Sequence, residues 1–131
     1  MTYLLDTVVW LWSLDAVERI NKRGFEILHS GQESIYFSAA TAWEVSIKAG
    51  LGKLRLPAPP RTCVLSFAEK QGLRALPITQ LHAVKVYDLP PHHRDPFDRL
   101  IIAQALTENM TVLTADRDFE KYPVNIVWCG K

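Results

Sequence analysis

The stretch DPFDRLIIAQA, residues 95–105, combines the start of a helix with an apolar helical face. Asp95 suits the N-cap, Pro96 suits the first helical position, and Asp98 lies where a carboxylate stabilises the exposed backbone amides. Helix capping is therefore a sufficient local explanation for both acids. Whether Asp98 also does chemistry depends on which other side chains the fold brings to the same place.

A strand, TVLTAD (111–116), follows this helix, and the same alternation extends across the chain. Apolar runs bounded by turn residues predict strands at 2–7, 34–39, 73–78, 111–116 and 124–128. Helical spacing predicts helices at 16–31, 41–50, 61–72, 79–89 and 95–109, with a short helix or turn at 8–15. The alternation predicts an α/β fold in which helices flank both faces of a central parallel sheet.

The helix predicted at 16–31 is amphipathic. Its apolar positions predict core contacts for Val17, Ile20, Phe25 and Leu28, and Gly31 is a typical residue to close it.

Length and composition favour one globular domain spanning residues 1–131. The net charge of +1 argues against a broadly basic surface, although RINKRG (19–24) and KAGLGKLR (48–55) are local basic clusters that could contact phosphate. The apolar runs are too short to span a bilayer, and the first residues lack the basic segment of a signal peptide. Cys63 and Cys129 are expected to be free thiols, which is typical of a cytoplasmic protein.

Several acids are predicted to share one edge of the sheet. Asp6 ends the first strand, Glu44 is expected in the first helical turn after the second strand, and Asp98 lies in a first turn. Asp116 ends the strand at 111–116, and Asp118 follows it. Right-handed crossovers place helix starts beside the carboxyl ends of parallel strands, where open α/β sheets bind ligands. The acids are therefore expected to converge.

Most of these acids also have a local explanation. Thr41 and Glu44 fit a capping box, and Asp116 and Asp118 fit a turn. Asp6 is the exception, because it lies between two apolar stretches where a lone carboxylate is poorly solvated. Carboxylates that cluster repel one another unless a cation compensates them. An all-oxygen set favours Mg²⁺ or Mn²⁺, and such a site at this edge points to phosphoryl chemistry.

The sequence resembles the PIN-domain ribonucleases, and in particular VapC-type toxins of toxin–antitoxin pairs. The matching stretches are YLLDT (3–7), SAATAWEVSIKAGLGKL (38–54), DPFDRLIIAQA (95–105) and VLTADRDFEKY (112–122). They lie in family order and span nearly the whole chain.

The resemblance implies a PIN-like three-layer sandwich and an acidic Mg²⁺ or Mn²⁺ site that cleaves RNA endonucleolytically. It also implies a homodimer that binds a cognate VapB-like antitoxin, whose peptide tail obstructs the site. Carried over residue by residue, the family's acids fall on Asp6, Glu44, Asp98 and Asp116. Thr114 matches a hydroxyl near the metal, with Asp118 as a possible additional carboxylate.

The hypothesis for the mechanism is metal-assisted hydrolysis. Asp6 and Asp98 would ligate the metal, Asp116 would ligate it directly or through water, and Glu44 would orient or deprotonate the attacking water.

The roles of several other residues stay open at this point. Arg99 would hold a carboxylate, touch phosphate or form a solvated salt bridge. His92 and His93 suit an exposed loop or an RNA contact. The remaining open residues belong to the core or to a partner surface: Trp10, Trp12 and Trp43.

Two other functions compete with the ribonuclease. A DNA-directed nuclease would use a similar metal site, and a silent binding module would keep the fold without turnover. The absence of a glycine-rich turn after the first strand counts against dinucleotide binding.

Overall fold

The computed structural model describes residues 1–92 and 95–131. Five strands form one sheet in which every neighbouring pair is parallel, in the order β3-β2-β1-β4-β5. The strands are β1 (Thr2–Leu5), β2 (Ser34–Ser38), β3 (Arg74–Leu76), β4 (Thr111–Thr114) and β5 (Ile126–Trp128). The predicted parallel sheet is confirmed, and β1 lies at its centre between β2 and β4.

Helices connect the strands and cover both faces of the sheet. They are α1 (Thr7–Asp15), α2 (Lys22–His29), α3 (Ala39–Gly50), α4 (Pro60–Thr62), α5 (Ala68–Lys70), α6 (Gln80–Lys85) and α7 (Pro96–Glu108). A π-helical turn (Cys63–Phe67) joins α4 to α5, and 3-10 turns lie at Val17–Arg19, Val86–Asp88 and Arg117–Lys121. No helix in the described part of the chain is long and apolar enough to cross a membrane.

The sheet divides the core into two layers. Successive residues of a strand point to opposite faces. On β1, Tyr3 and Leu5 therefore pack into one apolar cluster with Trp10 of α1, whereas Leu4 packs into the other with Ile101 of α7. Helices on both faces make the fold a three-layer sandwich.

The single helix predicted at 16–31 is wrong. The chain forms a 3-10 turn, then Ile20 pairs as an antiparallel bridge with Gly130, and α2 begins only at Lys22. Asn21 caps α2 by accepting from the Gly24 amide at 2.8 Å, and its side-chain amide donates to the carbonyls of Trp128 and Gly130. A tertiary pairing with the C-terminal segment therefore overrides the local helical pattern.

The break changes which side chains are buried. Ile20 is buried and Leu28 is partly buried, as predicted, but Val17 and Phe25 are 40% and 43% exposed. Phe25 stacks on His29 at the surface of α2 instead. The two cysteines are free thiols, as predicted, and both are buried.

Gly24 is a site where a single methyl group is expected to destabilise the fold. A Cβ there would lie 2.9 Å from the Cys129 Sγ and 3.0 Å from the Ile20 Cγ2. Gly24→Ala is expected to lower the free energy of unfolding by about 1–3 kcal/mol, because overpacked atoms must move. Gly50→Ala is the matched control, because a Cβ there meets no atom of residues 1–92 and 95–131 within 4 Å. Urea unfolding of both variants checks this, and equal stabilities would contradict it.

Candidate active site

An open cleft of about 460 Å³ lies at the carboxyl edge of β1 and β4. The chain passes there from strand to helix: α1 starts directly after β1, and α7 starts nearby. The charged side chains that line the cleft are Asp6, Glu44, Lys48, Asp95, Asp98, Asp116 and Arg117. The predicted convergence of Asp6, Glu44, Asp98 and Asp116 on one edge is therefore present in the structure.

Asp6 is the most buried of these carboxylates, at 2% exposed. It caps α1, since its Oδ1 accepts from the Thr7 amide at 2.8 Å, and its Oδ2 accepts from the Thr114 hydroxyl at 2.8 Å. Burial nevertheless raises the pKa of Asp6 to about 7, and the charges of Asp116 and Glu44 add to the rise. Two hydrogen bonds therefore do not fully compensate the buried charge.

Thr114 links two of the acids. Its hydroxyl donates to Asp6 and accepts from the Asp116 amide at 3.0 Å. Asp116 in turn caps the following 3-10 turn by accepting from the Asp118 amide at 2.9 Å. The Asp118 carboxylate pairs with Lys121 at 2.9 Å and does not belong to the described cleft lining.

Asp98 lies in the first turn of α7, as predicted. Asp95 is the N-cap and accepts from the amides of Phe97 and Asp98 at 2.8 and 3.3 Å. Burial raises the pKa of Asp98 to about 8, with further contributions from Asp6, Asp95, Glu44 and Asp116 in that order. The carboxylates are therefore close enough for each charge to oppose the others.

Glu44 lies in the second turn of α3, so its predicted place in the first turn and the capping box with Thr41 are wrong. Ser38 caps α3 instead, and the Thr41 hydroxyl bonds to that of Thr7 at 2.9 Å. The helix begins earlier than the sequence pattern indicated because Ser38, at the end of β2, supplies the cap itself. Glu44 Oε2 pairs with Lys48 at 2.5 Å, and its buried Oε1 has no hydrogen-bond partner among the described residues.

The family model of the PIN domain matches residues 3–125. The chain belongs to the PIN domain family. No curated protein sequence matches the chain closely enough to count as a relative.

Solved structures of low sequence identity share this PIN fold. VapBC2 of Rickettsia felis, bound to a DNA fragment from its promoter, matches at TM-score 0.74 and 17% identity over 98% of this chain and 99% of that one. DNA-bound VapBC of Salmonella typhimurium matches at 0.68 and 20%, over 97% of each chain. FitAcB of Neisseria gonorrhoeae matches at 0.65 and 22%, over 95% of each.

The PIN domain's cleft has the donor chemistry of a hard-cation site. Its acids supply only oxygen ligands, and Glu44 Oε1 is buried with no hydrogen-bond partner among residues 1–92 and 95–131. Burial, followed by the charges of neighbouring acids, raises the pKa values of Asp6 and Asp98. Over residues 1–92 and 95–131, no three His, Cys, Asp or Glu side chains form a ready-made metal-binding group. The residues fit a cation by their chemistry rather than by a preformed ligand cage.

The other predicted residues fall into two groups. Arg99 donates to the carbonyls of Pro90 and Val86 at 2.9 and 3.1 Å, so these bonds fasten the segment before α7. Its predicted contact with a carboxylate or phosphate stays a prediction. His92 lies in an exposed turn with its ring edge-on to Tyr122, and the predicted loop position of His93 lies outside the described residues.

Three residues of the cleft take part in contacts that the sequence had not assigned to them. Asp95 lines the cleft as well as capping α7. Lys48 is an ion-pair partner of Glu44, which its spacing of four residues along a helix could have indicated. Arg117 lines the cleft with its guanidinium 3.7 Å from the centre of the Trp128 ring, and no local pattern predicts that contact.

Trp10, one of the three tryptophans left open, belongs to the core. It is fully buried, with its ring edge-on to Phe37 and its Nε1 donating to Gln71 at 3.1 Å. Trp12 is partly buried against the same cluster.

Proposed function

We propose that this PIN domain is a Mg²⁺- or Mn²⁺-dependent endoribonuclease and the toxin of a type II toxin–antitoxin pair. The observation that carries the proposal is the cleft itself, in which separate parts of the chain bring carboxylates together and the pKa values of Asp6 and Asp98 rise to about 7 and 8. Such a concentration of acid is unfavourable for the fold alone and typical of sites that bind a cation. The likeness to VapBC structures supports the choice of a toxin.

In this proposal Asp6, Asp98 and Asp116 hold the cation, Asp116 directly or through water. A bound Mg²⁺ or Mn²⁺ supplies Lewis-acid polarisation of the scissile phosphate. Glu44 orients the attacking water and takes its proton at Oε1, the oxygen that accepts no hydrogen bond from the part of the chain that the structure describes. Asp118 supports Asp116 through the backbone of the turn they share.

Two cations of the chain are suited to the phosphate backbone. Lys48 and Arg117 line the cleft beside the acids. Arg117 is oriented by its contact with Trp128 and by an ion pair with Glu120 at 2.6 Å. We propose that both contact RNA phosphates, which position a strand without reading its sequence.

The proposed partners are a cognate VapB-like antitoxin and a second copy of the chain, in the cytoplasm. Large apolar side chains that a partner would cover are exposed on α3, on α6 and in the π-helical turn: Trp43, Ile47, Leu65, Leu81 and Val84. Light scattering tests the homodimer, and a mass near that of one 14.9 kDa chain would contradict it.

The experiment that tests the function is incubation of the purified, antitoxin-free protein with total cellular RNA and with single-stranded DNA, each with Mg²⁺. Discrete RNA fragments with intact DNA are expected. Cleavage of the DNA alone would favour the DNA-directed nuclease. A folded protein that binds Mn²⁺ and cuts neither would be a silent binding module.

Thr114→Val is expected to weaken Mn²⁺ binding by about tenfold, because the residue that orients a metal ligand is lost. The hydroxyl of Thr114 holds the Asp6 Oδ2 and lowers the pKa of Asp6, so its removal makes Asp6 harder to ionise. Calorimetric titration with Mn²⁺ measures the affinity. Thr111→Val is the control, because Thr111 is buried on the same strand and has no described bond to a cleft acid.

A further inference from the structure

Three buried polar side chains form a connected group behind the cleft: Ser38, Gln104 and His82, named here the Ser38–Gln104–His82 network. They are 0%, 0% and 1% exposed. Buried polar groups are costly unless they are satisfied, and a fully satisfied network fixes one arrangement of the elements that it joins. The proposed chemistry uses none of the three.

The Gln104 side-chain amide is the centre of the network, with hydrogen-bond partners at its oxygen and at its nitrogen. The Ala40 amide donates to Ser38 Oγ at 2.9 Å, and the Ser38 hydroxyl donates to Gln104 Oε1 at 2.5 Å. Gln104 Nε2 donates to the Pro77 carbonyl at 3.2 Å and approaches His82 Nδ1 at 3.4 Å. Each end of the Gln104 amide therefore has a partner that only one orientation of the amide can satisfy.

The orientation of the His82 ring is fixed by hydrogen bonds at both of its nitrogens. The Thr79 amide donates to His82 Nδ1 at 3.1 Å, so that nitrogen carries no proton. The proton of the neutral ring is on Nε2, which donates to the Glu108 carboxylate at 2.7 Å. Since Gln104 and Glu108 both lie on α7, His82 ties α6 to that helix at two points.

The network joins the two helices that carry cleft acids. Ser38 caps α3, which carries Glu44, and Gln104 lies on α7, which carries Asp98. The same two helices also touch through Trp43 and Phe97, whose rings meet edge-on at 5.0 Å. Trp43 directly precedes Glu44 in the sequence, and Phe97 directly precedes Asp98.

We infer that Gln104, with Ser38 and His82, is a positioning residue that fixes the separation of Glu44 and Asp98. For its catalytic consequence the inference rests on the proposed function. Gln104 touches no reacting atom, so its loss is expected to affect the alignment of the acids rather than the binding of RNA.

The first experiment compares Gln104→Met with the control Ile102→Val. Ile102 is fully buried on the same helix, and its replacement weakens packing without removing any of the hydrogen bonds described for the network. With an RNA fragment from the cleavage assay, Gln104→Met is expected to lower kcat about tenfold at nearly constant KM, as misaligned groups do. Ile102→Val is expected to keep both constants. Equal kcat in the two variants would overturn the catalytic inference.

The second measurement does not depend on cleavage. Fluorine NMR of protein labelled with fluorotryptophan reports the Trp43–Phe97 contact, and Trp43→Phe assigns the signal. Gln104→Met is expected to shift or broaden the Trp43 signal, and Ile102→Val is expected to leave it in place. An unmoved signal in Gln104→Met overturns the positioning role. A moved signal in a protein whose wild type cuts no RNA supports the positioning role and removes the proposed function.

Ser38→Ala keeps the test available if Gln104→Met fails to fold. Ser38→Ala removes the hydroxyl that donates to Gln104 Oε1, so it breaks the same hydrogen bond. It is therefore expected to move the Trp43 signal in the same direction as Gln104→Met does. A Trp43 signal that Ser38→Ala leaves in place would likewise overturn the inference.

Discussion

Asp98→Asn is expected to reduce RNA cleavage by about a thousandfold and, at the same time, to make the metal-free protein more stable near pH 8. Loss of activity follows because an amide oxygen is a weaker ligand than a carboxylate for a hard cation. Gain of stability follows because Asn removes a charge that the fold holds at a cost. Replacement by asparagine is thus expected to stabilise the protein at a catalytic acid and to destabilise it at an acid that supports the fold.

The pH dependence of that gain follows from the pKa of Asp98, which rises from 3.8 to about 8 on folding. A carboxyl group whose pKa is higher in the folded state binds more protons there, so the free energy of unfolding falls as the pH rises through that interval. Below both values the group is protonated in either state and contributes nothing. Asp98→Asn is therefore expected to match the wild type near pH 4 and to exceed it near pH 8 by an amount on the order of 2 kcal/mol.

Thermal unfolding in EDTA, from about pH 4 to about pH 8, measures this difference beside an RNA cleavage assay. Asp88→Asn is the matched control, since it makes the same change of charge at an exposed aspartate that pairs with Lys85. The control is expected to keep cleavage. A folded Asp98→Asn variant that cleaves RNA at the wild-type rate would remove Asp98 from the site.

Topology explains why the edge of the sheet could be predicted from the sequence. In a parallel sheet with right-handed crossovers, the carboxyl ends of β1 and β4 and the start of α7 lie on the same side of the sheet. Asp6, Asp98 and Asp116 each lie at such a boundary, so a coarse assignment of strands and helices was enough to bring them together. The exact bounds of the elements did not matter for this step.

Features set by tertiary contacts could not be predicted in the same way. The pairing of Ile20 with Gly130 joins segments from opposite ends of the chain, and the amphipathic pattern at 16–31 contains no sign of it. The start of α3 was misplaced because Thr41 and Glu44 form a plausible capping box, while Ser38 caps the helix in fact. Gln104 looks like an ordinary polar residue of α7 until the fold sets it between Ser38 and His82.

Removal of divalent metal is the other change with a large expected effect. EDTA is expected to abolish RNA cleavage, and Mg²⁺ or Mn²⁺ is expected to restore it, because the carboxylates supply ligands and no Lewis acid. Cleavage that continues at the same rate in EDTA would contradict a metal-dependent site. Asp88→Asn is expected to respond to EDTA as the wild type does.

The cation is also expected to stabilise the fold, and to do so more at high pH. Near pH 5 both Asp6 and Asp98, with pKa values of about 7 and 8, hold protons that a cation must displace. Near pH 8 Asp6 is mostly ionised and Asp98 is about half ionised, and the cation removes the repulsion that destabilises the metal-free protein. At a concentration of about 100 times its dissociation constant it contributes about 2.7 kcal/mol, which raises Tm by several degrees.

Thermal unfolding with Mn²⁺ and with EDTA at the two pH values tests the coupling between proton and metal. The Mn²⁺-dependent rise in Tm is expected to be large near pH 8, small near pH 5, and largely absent at both in Asp98→Asn. An equal rise at both pH values would mean that Mn²⁺ binds away from Asp6 and Asp98. The raised pKa values would then describe a strained structural cluster, and the chemistry would have to be sought at another site.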